Sequence, residues 1–327
     1  MLTLNEKKIN IILIFSFLLF CSISSSQAFL LNLNDKHISS IHISLTDSFP
    51  ILVTSNDDFD SLGFPGNGSS SNPYIIENLH IVSTTELGSA IQISGTNVYF
   101  VIQNCEIISK YVGIYVQSTV ASATAKIINN TITSSTTFGG GIAVGTDYVL
   151  IENNTIFGFS QGIHLNYANY CDIKGNKILL SYYQGVNIRY SSYNIIIDND
   201  IRNSNQHGLA IVGSGMYNVI YNNIFVNNSN EPTYDIDGER TGNIVSQGYD
   251  EGNNNQWYDS SNQIGNWWDD YDGKGTYEID GPAGSVDQYP QKYITNESNF
   301  ISIITLLAII GIATLIVLKR RYNNKRK

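Results

Sequence analysis

A gap-free repeat of about 24 residues, two strand-like segments in each copy and an Asn- and Ile-rich composition predict an all-β chain. The predicted architecture is a right-handed parallel β-helix, a solenoid of about seven regular rungs, plus one C-terminal transmembrane helix. The chain has 327 residues, of which 38 are Asn and 47 are Ile, and 14% are charged. Ile favours strands and Asn favours turns, whereas neither is a strong helix former. This composition excludes a helical bundle as the main body and argues against disorder.

The first strand of the repeat lies in seven eight-residue segments whose ends are 22 to 26 residues apart. Their third residue is always Ile, at positions Ile76, Ile102, Ile127, Ile151, Ile173, Ile196 and Ile220. Five copies have Asn at the sixth position, at Asn130, Asn154, Asn176, Asn199 and Asn223. We expect these Asn residues to sit in turns, to tolerate left-handed conformations and to stack their amides along the axis.

A second strand follows in each copy, with aliphatic residues at alternate positions and usually a Gly in front, as in GIHL (162–165) and GVNI (185–188). This alternation indicates one buried face, and the Gly is expected to adopt a positive φ at the corner. So short a unit cannot bury its apolar face alone, so the copies must stack as parallel strands. A leucine-rich-repeat horseshoe is the alternative, but it needs Leu where this chain has Ile.

Both ends of the chain resemble targeting segments. Two Lys residues precede the apolar run 9–21, and small residues precede a cleavage position after Ala28, which predicts a secretory signal peptide, with an uncleaved anchor as the alternative. Residues 300–318 carry no charge and are followed by six basic residues, which predicts a membrane helix with a cytoplasmic tail. The predicted organisation is signal peptide 1–28, N-terminal cap 29–73, regular rungs 74–225, irregular rungs and C-terminal cap 226–290, linker 291–299, transmembrane helix 300–318 and cytoplasmic basic tail 319–327.

The predicted extracellular body is acidic. Residues 29–299 contain 10 basic and 27 acidic residues, for a net charge of −17. Such a surface repels phosphate backbones, so nucleic acid is excluded as a partner. Cys105 and Cys171 fall about three rungs apart, beyond disulfide reach, and are interpreted as small buried apolar residues.

The segments "VLIENNTI", "GIAV", "GNGSSSNPYIIENLHI" and "GNWWDDYDG" together resemble NosD-like parallel β-helix proteins. Their repeat is also called the carbohydrate-binding and sugar-hydrolysis repeat, and the arrangement of signal, repeat and anchor is similar to that of archaeal surface-anchored members. The resemblance implies the β-helix fold and leaves the activity open, because such repeats serve lyases, hydrolases, binding proteins and passive scaffolds. Copper handling is excluded because Met, Cys and His are not clustered.

One polar and aromatic patch is predicted to face outward from the second strand on two adjacent rungs. The candidate ligand-binding residues are His164, Asn166, Tyr167, Asn187, Arg189 and Tyr190. Parallel stacking places Asn166 beside Arg189 and Tyr167 beside Tyr190, about 4.8 Å apart. A solvated face is the plainer alternative. Four further tyrosines recur six residues before the column Asn, at Tyr148, Tyr170, Tyr193 and Tyr217. They form either a packing ladder or a surface that stacks on sugar rings.

Other sites are weaker candidates. No cofactor is expected, although calcium is possible at Asp270, Asp272, Glu278 and Asp280; an end cap that buries Trp267 and Trp268 is favoured for the same segment. The strand columns are poor in acids, so no catalytic residue is assigned. Sequons at Asn67, Asn129, Asn153, Asn227 and Asn296 predict glycosylation outside the cell.

The sequence therefore predicts a surface-anchored, single-pass membrane protein with an extracellular body. The predicted function is non-catalytic binding of a polysaccharide or an envelope glycoprotein. A polysaccharide lyase or glycoside hydrolase is the first alternative, and a purely structural surface element is the second.

Overall fold

The computed structural model describes residues 45–84, 88–117, 125–229, 233–234, 240–242 and 246–294. These residues form an all-β, right-handed solenoid of about 8 turns. Three parallel sheets run along it and share one hydrophobic core.

The ten-stranded sheet contains β1 (Thr46–Ser48), β4 (Leu79–Ser83), β7 (Glu106–Ser109), β10 (Thr131–Ser134), β13 (Thr155–Phe157), β16 (Lys177–Leu179), β19 (Asp200–Arg202), β22 (Ile224–Val226), β26 (Trp267–Trp268) and β29 (Gln291–Lys292). The eight-stranded sheet contains β2 (Ile51–Val53), β5 (Ser89–Ile93), β8 (Val112–Gln117), β11 (Gly140–Gly145), β14 (Gln161–Asn166), β17 (Val186–Arg189), β20 (Leu209–Val212) and β25 (Gly248–Asp250). The seven-stranded sheet contains β3 (Tyr74–Glu77), β6 (Phe100–Gln103), β9 (Ala125–Ile128), β12 (Leu150–Glu152), β15 (Asp172–Lys174), β18 (Ile195–Ile197) and β21 (Val219–Tyr221). Two antiparallel pairs join β23 (Thr233–Tyr234) to β24 (Arg240–Gly242) and β27 (Tyr277–Glu278) to β28 (Val286–Asp287).

Each regular turn passes through the seven-stranded, ten-stranded and eight-stranded sheets in that order, as in β12, β13 and β14. Ile151 pairs with Ile173 between β12 and β15, and both side chains are fully buried. The predicted alignment of these two repeats is therefore confirmed. The eight-residue segments thus supply two strands, which the sequence had not separated, because an Asn corner divides them.

The sequence prediction gave one Asn at this corner two roles, a left-handed backbone conformation and an amide that stacks along the axis. In the structure two neighbouring residues share these roles. The left-handed residue is the one before the column Asn, for example Asn129 at φ 57° and Asn153 at φ 56°. The buried column Asn instead forms an amide ladder whose members are Asn130, Asn154, Asn176, Asn199, Asn223 and Asn266. Each Nδ2 donates to the next Oδ1 at 2.9–3.0 Å. The ladder therefore satisfies polar groups inside the solenoid on every turn.

The glycines before the eight-stranded sheet do not have the conformation that the sequence suggested. Gly162 and Gly185 lack a positive φ. A Cβ on Gly162 would lie 2.3 Å from Ile178 Cγ2 and 2.6 Å from the Gly185 carbonyl oxygen. These glycines are required because the backbone approaches the ten-stranded sheet too closely for any side chain.

Aromatic residues close both ends of the described core. At the N-terminal end, Phe59 of helix α1 (Asp57–Ser61) stacks on Tyr74 with ring centroids 4.7 Å apart. At the other end, Trp268 is fully buried and stacks on Phe225 at 4.4 Å and on Tyr277 at 4.0 Å. The predicted burial of Trp267 is wrong, because its side chain points to the opposite face of β26 and is 37% exposed.

The prediction of a β-helix plus one transmembrane helix is corrected in its second part. Within the described ranges, no helix is long and apolar enough to cross a membrane, and the one helix there, α1, has five residues. The predicted segment 300–318 itself lies outside the described residues, as do the signal peptide 1–28 and the tail 319–327.

Candidate functional site

The six predicted ligand-binding residues lie on two adjacent turns at one margin of the eight-stranded sheet. Residues of β14 and β17 pair in register, His164 with Asn187 and Asn166 with Arg189. Tyr167 and Tyr190 follow the ends of these strands, and their rings stack with centroids 5.0 Å apart and an interplanar angle of 20°. The structure therefore brings together the pairs that the repeat spacing predicts.

The two-ring stack has one covered end and one open end. Tyr190 lies against Gly213 of the following turn, where a Cβ would come within 2.4 Å of the Tyr190 Cε1. On the preceding turn the equivalent residue is Thr146, and no second ring stacks on Tyr167 in the described part of the chain. Tyr167 is accordingly 64% exposed and Tyr190 37%. One flat face of the Tyr167 ring is thus available to a ligand.

Two of the six residues point to the outer face of the sheet but are less accessible than the sequence suggested. Asn187 is 7% exposed and donates to Gln184 Oε1 at 3.2 Å, while His164 is half-buried. The His164 Nε2 and the Asn187 Oδ1 are both buried without a hydrogen-bond partner. Burial, and then the charge of Arg189, lower the pKa of His164. His164 is therefore a neutral polar group at neutral pH.

A second tyrosine column runs beside this stack, along the corner between the eight-stranded and seven-stranded sheets. Its members are Tyr148, Tyr170, Tyr193 and Tyr217, each 44–47% exposed. Their ring centroids lie 5.0–5.2 Å apart along the axis. Because each ring covers its neighbour's face, the column presents ring edges to solvent. The sequence prediction of a packing ladder describes this column better than a row of open stacking faces.

All six tyrosines of this corner have left-handed backbone conformations, with φ from 48° to 61°. A bulky residue rarely adopts this conformation, which costs roughly 1–2 kcal/mol per residue. For the column of four, that is about 4–8 kcal/mol, whereas three stacked pairs return about 1.5–4.5 kcal/mol. The Asn-rich corner of the same solenoid avoids most of this cost. The tyrosines thus keep a strained conformation that Asn or Gly would adopt at lower cost.

The two tyrosine groups form one continuous edge, which we call the tyrosine edge (Tyr148, Tyr167, Tyr170, Tyr190, Tyr193 and Tyr217). Tyr167 and Tyr170 are three residues apart in a single loop. Between the two groups, Asn169 donates to Asp147 Oδ1 at 3.0 Å and accepts from the Ser192 backbone N–H at 2.8 Å. These polar side chains fix the loops of neighbouring turns to one another, so the edge is a preorganised surface.

The outer column of the eight-stranded sheet extends further than the repeat predicted. Ala210 pairs with Tyr249, and Tyr249 forms a bridge with Asp280. The column thus ends in an acid, which the regular repeat does not reveal. Glu251 lies next to it and accepts from the Tyr249 hydroxyl at 2.8 Å and from the Gly213 N–H at 2.7 Å. The irregular segment 226–245 hides this continuation, because it breaks the period.

A histidine and a carboxylate meet at the same end of the column. His207 is buried, and its Nε2 lies 3.3 Å from Asp280 Oδ2, which also accepts from the Ser246 N–H at 3.0 Å. The His207 ring packs on Tyr249 with centroids 5.0 Å apart. This cluster was missed from sequence because its members lie on three different turns, and Tyr249 and Asp280 fall outside the regular repeat.

The four calcium candidates do not converge. Asp270 accepts from Gln247 Nε2 and from the Tyr277 hydroxyl, and burial raises its pKa. Asp272 is exposed and accepts from the Lys274 N–H, Glu278 is exposed in β27, and Asp280 serves the histidine contact. Among the described residues, no three His, Cys, Asp or Glu side chains form a group that could hold a metal ion.

The predicted glycosylation sites that the structure describes all lie on the surface. Asn67, Asn129, Asn153 and Asn227 are exposed, whereas Asn296 lies outside the described residues. Cys105 and Cys171 are buried free thiols, as the sequence predicted. Burial raises their pKa values to about 11 and about 12, respectively, so both are protonated at neutral pH.

The chain belongs to the right-handed β-helix family. It matches the sequence profile described as "Right handed beta helix region" over residues 62–179 and 119–266. The profile covers the regular turns, the tyrosine edge and the beginning of the C-terminal cap. Among curated proteins, no sequence match was found.

Several solved structures are similar to this chain. A DFA-IIIase from Arthrobacter chlorophenolicus A6, solved in complex with GF2, is 14% identical with a TM-score of 0.41 over 67% of this chain and 56% of its own. The Dettilon tailspike protein is 12% identical with a TM-score of 0.38 over 73% of this chain and 52% of its own. An alginate lyase from Paenibacillus sp. str. FPU-7 is 17% identical with a TM-score of 0.33 over 75% of this chain and 95% of its own. This chain thus spans about half the length of the first two.

Proposed function

We propose that this protein binds carbohydrate at the tyrosine edge and does not cleave it there. The observation that carries the proposal is the open face of the Tyr167 ring beside Asn166 and Arg189. A flat aromatic face packs on the apolar face of a sugar ring, while amide and guanidinium groups donate to its hydroxyls. The ring stack, the loop hydrogen bonds and the paired strands hold these groups in place before any ligand arrives, which lowers the entropy lost on binding.

The composition of the patch supports binding rather than catalysis. None of its six residues is an acid, and His164 is neutral and has a buried Nε2. Cleavage of a glycosidic bond by the common two-carboxylate route needs two acids that flank the bond. Neither the tyrosine stack nor the strand ends beside it supply such a pair.

The ligand is expected to be polymeric. A shallow surface that offers one open ring binds a single sugar weakly, and repeated contacts along one chain raise the apparent affinity. An extended polysaccharide that follows the solenoid axis would meet the same edge on successive turns. Location at a cell surface, glycosylation and the narrower similarity to NosD-like proteins remain predictions of the sequence.

The test is retention of the full-length protein on insoluble polysaccharides, with wild type compared with a Tyr167→Ala, Tyr190→Ala double variant. Loss of two rings at about 0.5–1.5 kcal/mol each predicts affinity lower by roughly 5- to 150-fold. The matched control is Tyr182→Ala, Tyr183→Ala, which removes two similarly exposed rings from a different corner and should bind like wild type. Equal retention of wild type and the first variant would refute this site. If neither the wild type nor the variants are retained on any polysaccharide, a purely structural role is favoured.

Glycan cleavage is the second candidate, and one observation favours it: the acids Glu251 and Asp280 lie near His207 on the same face. Incubation of the wild-type protein with soluble polysaccharides distinguishes the two functions. New reducing ends, or the ultraviolet absorbance of an unsaturated sugar, together with loss of either signal in Glu251→Gln, would establish cleavage and replace the binding-only proposal.

A further inference from the structure

Arg189 differs from Lys174 and Arg202, whose charges are neutralised by neighbouring carboxylates. In an acidic chain, basic side chains are expected to find carboxylates. Lys174 forms an ion pair with Glu152 at 3.3 Å, and Arg202 pairs with Asp200. Arg189 is exposed, and no acidic side chain of the described residues forms an ion pair with it. Its charge is therefore available to a ligand.

The position of the guanidinium group matches the geometry of the proposed sugar site. The Arg189 Cζ lies 5.2 Å from the centre of the Tyr190 ring, within the range of a cation–π contact. Tyr190 in turn stacks on Tyr167, whose other face is open. The register of β14 and β17 places Asn166 directly beside Arg189. A cation, an amide and an open aromatic face thus share one surface.

We propose that Arg189 is the specificity-determining residue of this site and selects glycans that carry a carboxylate, namely polyuronates. This inference rests on the proposed carbohydrate-binding function. A guanidinium group binds a carboxylate through two parallel N–H···O hydrogen bonds, which adds geometric selection to the charge. The neighbouring His164 can add polar contact without a second charge, because it is neutral. A polysaccharide that continues along the solenoid axis from the open face of Tyr167 would pass Arg189 on the next turn.

The test compares two forms of one polymer, polygalacturonate and its methyl ester, which differ in the carboxylate alone. Affinity of the full-length protein is measured by isothermal titration calorimetry at low salt. A charge-assisted hydrogen-bonded pair predicts at least about tenfold tighter binding of the acid form. Arg189→Gln should remove that preference, so that the acid form and the ester bind with similar affinity. Arg189→Lys keeps the charge but cannot form two parallel hydrogen bonds to one carboxylate, so it should retain part of the preference for the acid form.

The matched control is Lys126→Gln, which removes one exposed positive charge from the seven-stranded sheet and alters the net charge equally. It should bind like wild type. Equal affinity for acid and ester, or equal losses in Arg189→Gln and Lys126→Gln, would overturn the role of Arg189. Binding of neutral polysaccharides alone would also overturn the role of Arg189, but it would leave the proposed carbohydrate-binding function intact. No difference between wild type and the Tyr167→Ala, Tyr190→Ala variant on any polymer would overturn both.

Discussion

Replacement of Asn176 by Ala tests whether the amide ladder holds the solenoid together. The Asn176 Oδ1 accepts from the Asn154 backbone N–H at 2.9 Å and from its Nδ2 at 3.0 Å. Its own Nδ2 donates to the Ile151 carbonyl at 2.9 Å and to the Asn199 Oδ1 at 3.0 Å. Asn176 is 1% exposed, so water does not replace these partners. The substitution therefore interrupts the ladder inside the core.

The expected loss follows from these contacts. The Asn154 backbone N–H has the Asn176 Oδ1 as its acceptor, so it is left unsatisfied at a cost of about 1–3 kcal/mol. The Asn176 Nδ2 also donates to the Lys174 carbonyl at 3.1 Å, and its two N–H groups, which share these acceptors, contribute about 0.5–1.5 kcal/mol each. Together the free energy of unfolding should fall by about 2–6 kcal/mol, a large part of the roughly 5–15 kcal/mol typical of a folded protein.

The assay is urea unfolding of the full-length protein, followed by far-ultraviolet circular dichroism. The midpoint should fall markedly in Asn176→Ala, with a similar dependence on urea concentration. Asn153→Gly is the matched control, because Asn153 is exposed and left-handed, and Gly adopts that conformation freely. It should change stability by less than about 0.5 kcal/mol. Equal midpoints for the two variants would show that the ladder contributes no net stability.

Three further predictions concern the sheet corner, the buried histidine and the thiols. Gly162→Ala should destabilise the protein by about 1–3 kcal/mol, since its Cβ would lie 2.3 Å from a methyl carbon of β16, whereas Gly145→Ala meets ordinary contacts at 3.5 Å and should be tolerated in thermal unfolding. Because the pKa of His164 in the folded state is below its ordinary value of 6.5, the unfolded chain binds more protons, so stability is lost as the pH falls below about 6.5. His164→Gln should therefore make the urea midpoint less sensitive to pH between about 7 and 5. Peptide mapping after iodoacetamide treatment at about pH 8 should find Cys105 and Cys171 alkylated after unfolding and unmodified before it, because their pKa values are raised to about 11 and about 12.

Much of the regular architecture could be predicted because stacking constrains the sequence on every turn. An aliphatic residue that recurs at one offset, such as Ile151 and Ile173, must lie in one buried column if the copies are parallel. The same logic placed Tyr167 beside Tyr190, since residues of equal offset become neighbours along the axis. These predictions require only that successive copies of the repeat are related by a shift along the solenoid axis. They do not depend on the conformation of the loops.

The rest depends on backbone geometry that the repeat does not encode. The role of Gly162 as a point of close approach is visible only when the ten-stranded sheet is in place. The left-handed tyrosines could not be expected, because the conformation disfavours bulky residues. The position of Asp280 and Glu251 beside the outer column could not be predicted, because residues 226–245 interrupt the sequence period before their turns. The burial of Asn187 likewise depends on side chains such as Gln184 that pack on the same turn, which the repeat does not predict.

Four aspartates at the C-terminal end of the described core, Asp250, Asp269, Asp270 and Asp287, accept from the ends of the amide ladders, and one of them, Asp270, was a calcium candidate from sequence. Within each ladder every amide donates to the next amide in the same direction along the axis. The last amide therefore needs an acceptor that does not itself carry a hydrogen requiring a partner. The main ladder ends at Asp287 Oδ2, which accepts from the Asn266 N–H at 2.7 Å and the Trp268 Nε1 at 3.0 Å. Burial raises the pKa of Asp287.

Two shorter ladders, one of Asn194, Asn218 and Asn255 and one of Asn228 and Gln247, end in the same way. Asn255 donates to Asp250 Oδ1 at 2.9 Å, and the Gln247 amide donates to Asp269 and Asp270 at 2.7 and 2.8 Å. A carboxylate accepts without donating, so it leaves no buried donor unpaired where the stacking stops. These aspartates thus accept the last amide hydrogens of three ladders at the C-terminal end of the described core. Because these carboxylates are engaged by ladder amides, their first role is to stabilise the fold.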